Sequence, residues 1–246
     1  DGLCGTACPV GIDTGKFIKK LRAEKVESGK WAERIVENFG FVEKTVGIGV
    51  SLGHAAEKVI GVNGVKSISV VAEKITGTRL PKWNKSIPHS PKKLRELRVL
   101  RGEKDFIYFP SCISRQLGTP QLPITNYQSL PETFLTISNR ANINLYIPAN
   151  TTGHCCGMPF SSKGYKSAYQ AALHKTLTQM WEWSEHGKYP IVIDTTSCTH
   201  TLKTCGDDLT AEDKVIWDQL TLLDGVEFLH DHVLPKLKLH PVDEEV

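Results

Sequence analysis

The sequence predicts an α/β protein in which an all-helical N-terminal part is followed by βαβ-type units on a parallel sheet. Three observations carry this. From Asp13 to about Thr78 the apolar residues recur at intervals of three and four, with glycines as punctuation. The stretch "LPKWNKSIPHSP" from Leu80 to Pro91 holds three prolines and supports neither a continuing helix nor a central strand. Beyond it, short β-type runs alternate with helical ones, the pattern of parallel strands joined by crossover helices.

In chain order, "DTGKFIKKLRAEKVESG" predicts a helix capped by Asp13 or Thr14, with Phe17, Ile18 and Leu21 on its apolar side. Gly40, Gly61 and Gly77 divide the following residues into three further helices. The predicted strands are "DFIYFP" (105–110), "INLYIP" (143–148), "YPIVID" (189–194) and "VEFLH" (226–230), with helices near 130–141, 163–186 and 211–223 between them. The longest helix shows Tyr165, Tyr169, Leu173, Leu177, Met180 and Trp181 at helical spacing, a core-facing stripe. The resulting division is 1–12, a helical region 13–80, a linker 81–104 and an α/β domain 105–246.

With 246 residues and 40% hydrophobic content, the chain is large enough to bury a true core. Its 30 basic and 27 acidic residues, net +3, are interspersed rather than gathered into a basic arm, which argues against nucleic acid as a partner. The most apolar stretch, "TVGIGVSLGHAAEKVIGV", is interrupted by His54, Glu57 and Lys58 and is no membrane span, although peripheral contact at an inner membrane is compatible with it. Seven cysteines without an apolar leader point to reduced thiols in the cytoplasm. The opening on Asp1, with Met158 and Met180 as the only methionines, reads as a piece of a longer protein.

The cysteines supply the chemistry. Cys112 follows the first predicted strand in "YFPSCISR", Cys155 and Cys156 follow the second in "NTTGHCCGMPFSSKGY", and Cys198 follows the third in "IDTTSCTH". Parallel strands all point their C-termini the same way, and ligands bind in the crevice beyond them, so these four thiols are expected to converge. Adjacent cysteines are poor disulfide partners for each other. Four convergent thiolates suit an iron–sulfur cluster or a tetrahedral zinc, and Cys155 with Cys156 as a thiol–disulfide pair is the other chemistry open to them. Cys205 stands apart in "LKTCGDD" and reads as a core thiol, with a fourth or substitute ligand as the other reading open to it. At the N-terminus, Cys4 and Cys8 in "LCGTACPVGID" match the closing C-x3-C-P half of a bacterial ferredoxin run.

Taken in order, "DGLCGTACPVGIDTGK", "YFPSCISR", "CCGMPFSSKGY" and "DTTSC" resemble the iron–sulfur and cysteine-rich (CCG) region of the FAD-linked D-lactate dehydrogenases. Glycolate oxidase iron–sulfur subunits and the cysteine-rich subunits of heterodisulfide reductases share that CCG domain. The resemblance implies an electron-transfer segment of an FAD- and Fe–S-dependent oxidoreductase. It implies FAD in an upstream FAD-binding domain of the same full-length protein, and a quinone or other acceptor downstream. It implies Cys4 and Cys8 as ligands of a ferredoxin-type 4Fe–4S cluster, residues 1–12 being the remnant of that domain, and Cys112, Cys155, Cys156 and Cys198 as the CCG ligands. Alone, the chain is then expected to be inactive on hydroxy acids. The tail "LKLHPVDEEV" resembles the junction before a second CCG half, and Thr201 stands where heterodisulfide reductases carry a further cysteine.

His154 and His200 flank the cysteines as candidate ligands or proton carriers. Gly157 is expected to supply a special backbone angle. Arg115 and Lys163 are candidates to steady a negative cluster. The glycines of 45–53 lack the strand and the acidic residue that a dinucleotide site needs.

Overall fold

The computed structural model describes residues 8–26, 29–76, 82–84, 86–89, 104–118 and 128–238. Cys4, Gly77, residues 80, 81, 85, 90 and 91 of the proline-rich stretch and the tail from residue 239 lie outside them. Strands β1 (Phe106–Phe109), β2 (Leu145–Tyr146), β3 (Ile191–Ile193) and β4 (Leu222–Asp224) form a wholly parallel sheet in the order β2-β1-β3-β4. Ile107 of β1 is the register partner of both Tyr146 and Ile191, and Val192 is the partner of Leu223.

The strands are short and almost wholly apolar, as expected of a parallel sheet covered on both faces. Alternation sorts them: Ile107, Phe109, Ile191 and Ile193 face one core, while Tyr108, Leu145, Val192 and Leu223 face the other. Helix α7 (Lys166–Trp183) packs the first core with Leu173, Leu177 and Met180, none of them exposed to solvent. Helix α5 (Leu130–Arg140) packs the second with Phe134 and Leu135. Its start is capped by the Glu132 carboxylate, which accepts from the Ser129 amide and hydroxyl.

Ahead of the sheet lie three helices, α1 (Thr14–Glu24), α2 (Lys30–Glu37) and α3 (Phe39–Thr76). Asp13 caps α1 by accepting from the Lys16 amide at 3.0 Å. Ala32 and Val36 bury α2 in the first core, beside α7. Gly61 breaks α3 with φ +73°, as the sequence expects. The α2–α3 boundary falls at Asn38, not at Gly40. Gly40 lies inside the first turn of α3, packed beside the backbone of Gly153.

Further expectations are corrected. The helix drawn near 163–186 is α7, Lys166–Trp183, and a separate short helix that the sequence did not announce, α6 (Met158–Lys163), precedes it, parted from it at Gly164 with φ +86°. A Cβ on Gly164 would lie 2.5 Å from the Ala23 amide, so α1 can approach this corner only over glycine. Trp183, rather than Trp181, completes the buried stripe of α7. The helix drawn over 211–223 ends at Trp217 as α9 (Ala211–Trp217), leaving Leu222–Asp224 free to form β4.

"VEFLH" is consequently helical and not a strand. Asp224 accepts from the Val226 amide and Glu227 accepts from the Asp224 amide, a reciprocal cap that starts α10 (Gly225–Phe228). Val226 is left 70% exposed while Phe228 is fully buried.

Candidate functional site

The connection from β1 runs to one side of the sheet, to β2, while that from β3 runs to the other, to β4. The crevice between the C-terminal ends of β1 and β3 is therefore the topological switch point, where open parallel sheets bind ligands. Asp194, directly after β3, holds both sides of it. Its carboxylate accepts from the Tyr108 hydroxyl at 2.8 Å, the Ser111 amide at 2.9 Å and the Thr195 hydroxyl at 3.1 Å. Burial, and then the Asp194 charge, push the Tyr108 phenol well above its ordinary value.

Each cysteine sits where a loop turns into a helix. Cys112 is the first residue of α4 (Cys112–Gln116), behind its cap Ser111. Cys198 lies in the first turn of α8 (Thr196–Lys203), with its amide bonded to the Thr195 carbonyl. Cys155 and Cys156 precede α6. The Thr176 hydroxyl of α7 pins Cys155, accepting from its amide at 3.1 Å and donating to its carbonyl at 2.9 Å. Gly157 turns the chain with φ +78°, and a Cβ there would lie 2.6 Å from the Tyr169 ring, so glycine meets both the angle and the space. Its amide donates to the Cys155 sulfur at 3.4 Å.

The four thiols are brought together as an unbroken series of contacts, Cys112 to Cys155, Cys155 to Cys156 and Cys156 to Cys198. Cys155, Cys156 and Cys198 are buried, and Cys112 is half-buried. The hydrogen bond to Cys155 and then burial push the Cys112 thiol far up, with Arg115 pulling weakly the other way. The Cys112 bond lowers Cys155, but its bond to Cys156 and burial outweigh it and hold that thiol at about 12. Cys156 also reaches about 12: the Cys155 bond lowers it, while the Cys198 bond and burial raise it by more. Cys112, Cys155 and Cys156 are thus neutral thiols, and a cation must displace their protons to make them ligands. Among the described residues, no three cysteine, histidine, aspartate or glutamate side chains already stand as a metal shell; the sulfurs form an open row.

The loop bearing Cys155 is anchored by a residue that no motif announces. Glu43 of α3 accepts from the Gly153 amide at 2.6 Å and from Arg115 Nη2 at 2.6 Å, while Arg115 also donates to the carbonyls of Pro110 and His154. Arg115 is thereby a clamp between the two cysteine loops. Lys163 is exposed on α6.

His154 is buried against Trp183, its Nδ1 without a partner, and burial followed by the charges of Lys175 and Arg115 lowers it to about 4, so it is neutral. His200 is exposed and lines an open groove of about 620 Å³ between α1 and α8. Cys205 is buried away from the row, its thiol donating to the Leu202 carbonyl. Cys8 sits in the turn before α1, its carbonyl accepting from the Gly11 amide.

A parallel α/β domain with four thiols at its switch point is a cysteine-rich architecture, one that suggests a redox or metal-binding role. Consistent with this, residues 106–203 match the family model of the cysteine-rich domain, CCG. No curated protein and no solved structure matches the chain. Among the described residues, no helix is long and apolar enough to cross a membrane.

Proposed function

We propose that Cys112, Cys155, Cys156 and Cys198 hold an iron–sulfur cluster of the 4Fe–4S type. On this reading the chain is the electron-transfer segment of a flavin-linked D-2-hydroxy-acid dehydrogenase of the D-lactate type. It relays electrons from FAD in an upstream domain of the same protein to a quinone or other acceptor. Cys4 and Cys8 belong to a second, ferredoxin-type cluster on the same reading. The observation that carries the proposal is the contact series of four thiols from three successive βα units at the switch point.

The donor set fits the group: four soft sulfurs, with the one nearby carboxylate, Glu43, already engaged by Arg115 and Gly153. Bound there, a cluster supplies one-electron transfer. The chain's own residues do the rest. Thr176 and the Gly153–Glu43 bond hold the Cys155 loop, and the αL turn at Gly157 directs its amide to sulfur, a bond of the kind that tunes reduction potential. Trp183, Phe160 and Tyr169 bury the row and exclude water. Thiol–disulfide exchange is less well supported, since buried thiols held near 12 present little thiolate at neutral pH.

The test is anaerobic reconstitution of the whole chain with iron and sulfide, followed by optical and paramagnetic resonance spectra. A chromophore bleached by dithionite, with no flavin binding and no oxidation of D-2-hydroxy acids, is the expected result. Colourless uptake of zinc in preference to iron would put a structural zinc or scaffolding module in its place.

A further inference from the structure

The first limb of α3, from Phe39 to Gly61, is built inside out. Its inward row, Glu43, Gly47, Val50, His54 and Glu57, carries the polar contacts of the limb. Glu43 binds Arg115 and Gly153, His54 stacks on His89 with ring centroids 3.7 Å apart, and Glu57 accepts from Trp83 Nε1 at 3.0 Å. The opposite row is Phe41, Thr45, Ile48, Leu52, Ala55 and Val59, and it faces solvent: Phe41 is 68%, Ile48 59%, Leu52 63% and Val59 84% exposed. An isolated surface leucine is ordinary, but a row of apolar side chains over five turns of one helix is not.

The spacing of that row is diagnostic. It advances by four, three, four, three and four residues, the 3.5-residue period with which one helix meets another side by side. At 1.5 Å per residue it runs for about 27 Å. Its two flanks differ. One side carries Lys44, Ser51 and Lys58, and the other carries Val42, Gly49 and Ala56. A Cβ at Gly49 would meet nothing within 4 Å, so a notch lies open beside Leu52 for close approach of another backbone.

We propose that this row is the docking surface for one helix of a partner protein, a helix with an apolar seam of the same period and carboxylates along the flank that meets Lys44 and Lys58. Charge selects this occupant. Two copies of the same row, paired antiparallel, would bring lysine flank against lysine flank. Paired parallel, they would set the lysines against Val42, Gly49 and Ala56, so in neither case does a lysine find a carboxylate. Residues 92–101 of this chain, "KKLRELRVLR", have the wrong sign. A bilayer surface would suit a face with cations on both sides, whereas here Val46 and Ile60 extend the apolar face on one flank, both lysines lie on the other, and glycine notches the seam. The proposal stands apart from the cysteines and does not depend on the cluster.

The test is fluorescence anisotropy of the whole chain with two designed helical probes of about four heptads, both with leucine at the seam, one with glutamate flanks and one with lysine flanks. The glutamate probe is expected to bind at least about tenfold more tightly than the lysine probe, and the exposed pair Lys44→Glu/Lys58→Glu to reverse that order. Leu52→Asp should abolish both, with the circular dichroism spectrum unchanged, while Cys155→Ser should leave binding intact. Equal binding of the two probes overturns the proposal. So does seam-dependent self-association in sedimentation, or Leu52-dependent flotation with phosphatidylcholine–phosphatidylserine vesicles in place of probe discrimination.

Discussion

The Glu43 carboxylate and the Arg115 guanidinium meet at 2.6 Å, with both side chains only 4% exposed, and so join the N-terminal helices to the helix that begins with Cys112. The pair has further partners: Glu43 also accepts from Gly153, and Arg115 also donates to the backbone at Pro110 and His154. A charge this deeply buried is tolerated only because its lone pairs and protons are satisfied together.

Arg115→Ala leaves Glu43 as an uncompensated buried charge and is expected to cost about 3–5 kcal/mol in urea unfolding. Glu43→Gln keeps an acceptor for Gly153 and should cost less than Glu43→Ala. Equal losses for the two Glu43 variants would show that the Gly153 bond contributes nothing.

Serine at Cys155 or Cys198 replaces a soft ligand with a hard hydroxyl and should abolish the reconstituted chromophore. Cys205→Ser should leave most of it, because Cys205 is bonded to Leu202 and lies outside the row. Loss on Cys205→Ser with retention on Cys198→Ser would reassign the fourth ligand.

Gly157→Ala forces a side chain into the left-handed region, worth about 1–2 kcal/mol, and also into the Tyr169 ring. The expected outcome is a lower unfolding midpoint, together with faster reaction of the cysteine row with a thiol reagent. An unchanged midpoint would mean that the loop turns without strain.

Tyr108 tests the Asp194 clamp through pH. Its folded phenol is held well above the ordinary value of 10.0 by burial and then by Asp194, so the folded state binds this proton more tightly than the unfolded chain. That contribution is complete below the unfolded value and is lost as pH rises above it. Stability should therefore fall more steeply with pH in the wild type than in Tyr108→Phe. The variant itself should be weaker near neutrality by about 1–3 kcal/mol, since Asp194 loses a donor.

How much of this was legible beforehand depended on the range of the interaction. The capping of α1 by Asp13, the breaker Gly61 and three of the four strands follow from neighbours in sequence. The fourth strand was misplaced at "VEFLH" because a short apolar run reads as a strand until the reciprocal cap of Asp224 and Glu227 is weighed. The gathering of Cys112, Cys155, Cys156 and Cys198 needed only that the strands run parallel, since each cysteine follows a strand end.

What the sequence by itself determined, then, is the α/β order and the chemical character of the site, because strand periodicity and cysteine placement are local. Only the tertiary structure decided the sheet order that makes β1 and β3 the switch point. Only it brought Glu43 to Gly153 across 110 residues, and it alone turned the apolar row of α3 outward. The physical reason is that helical periodicity defines two opposite faces equally well. Which face is buried depends on partners such as Arg115 and Trp83, whose positions no local pattern encodes.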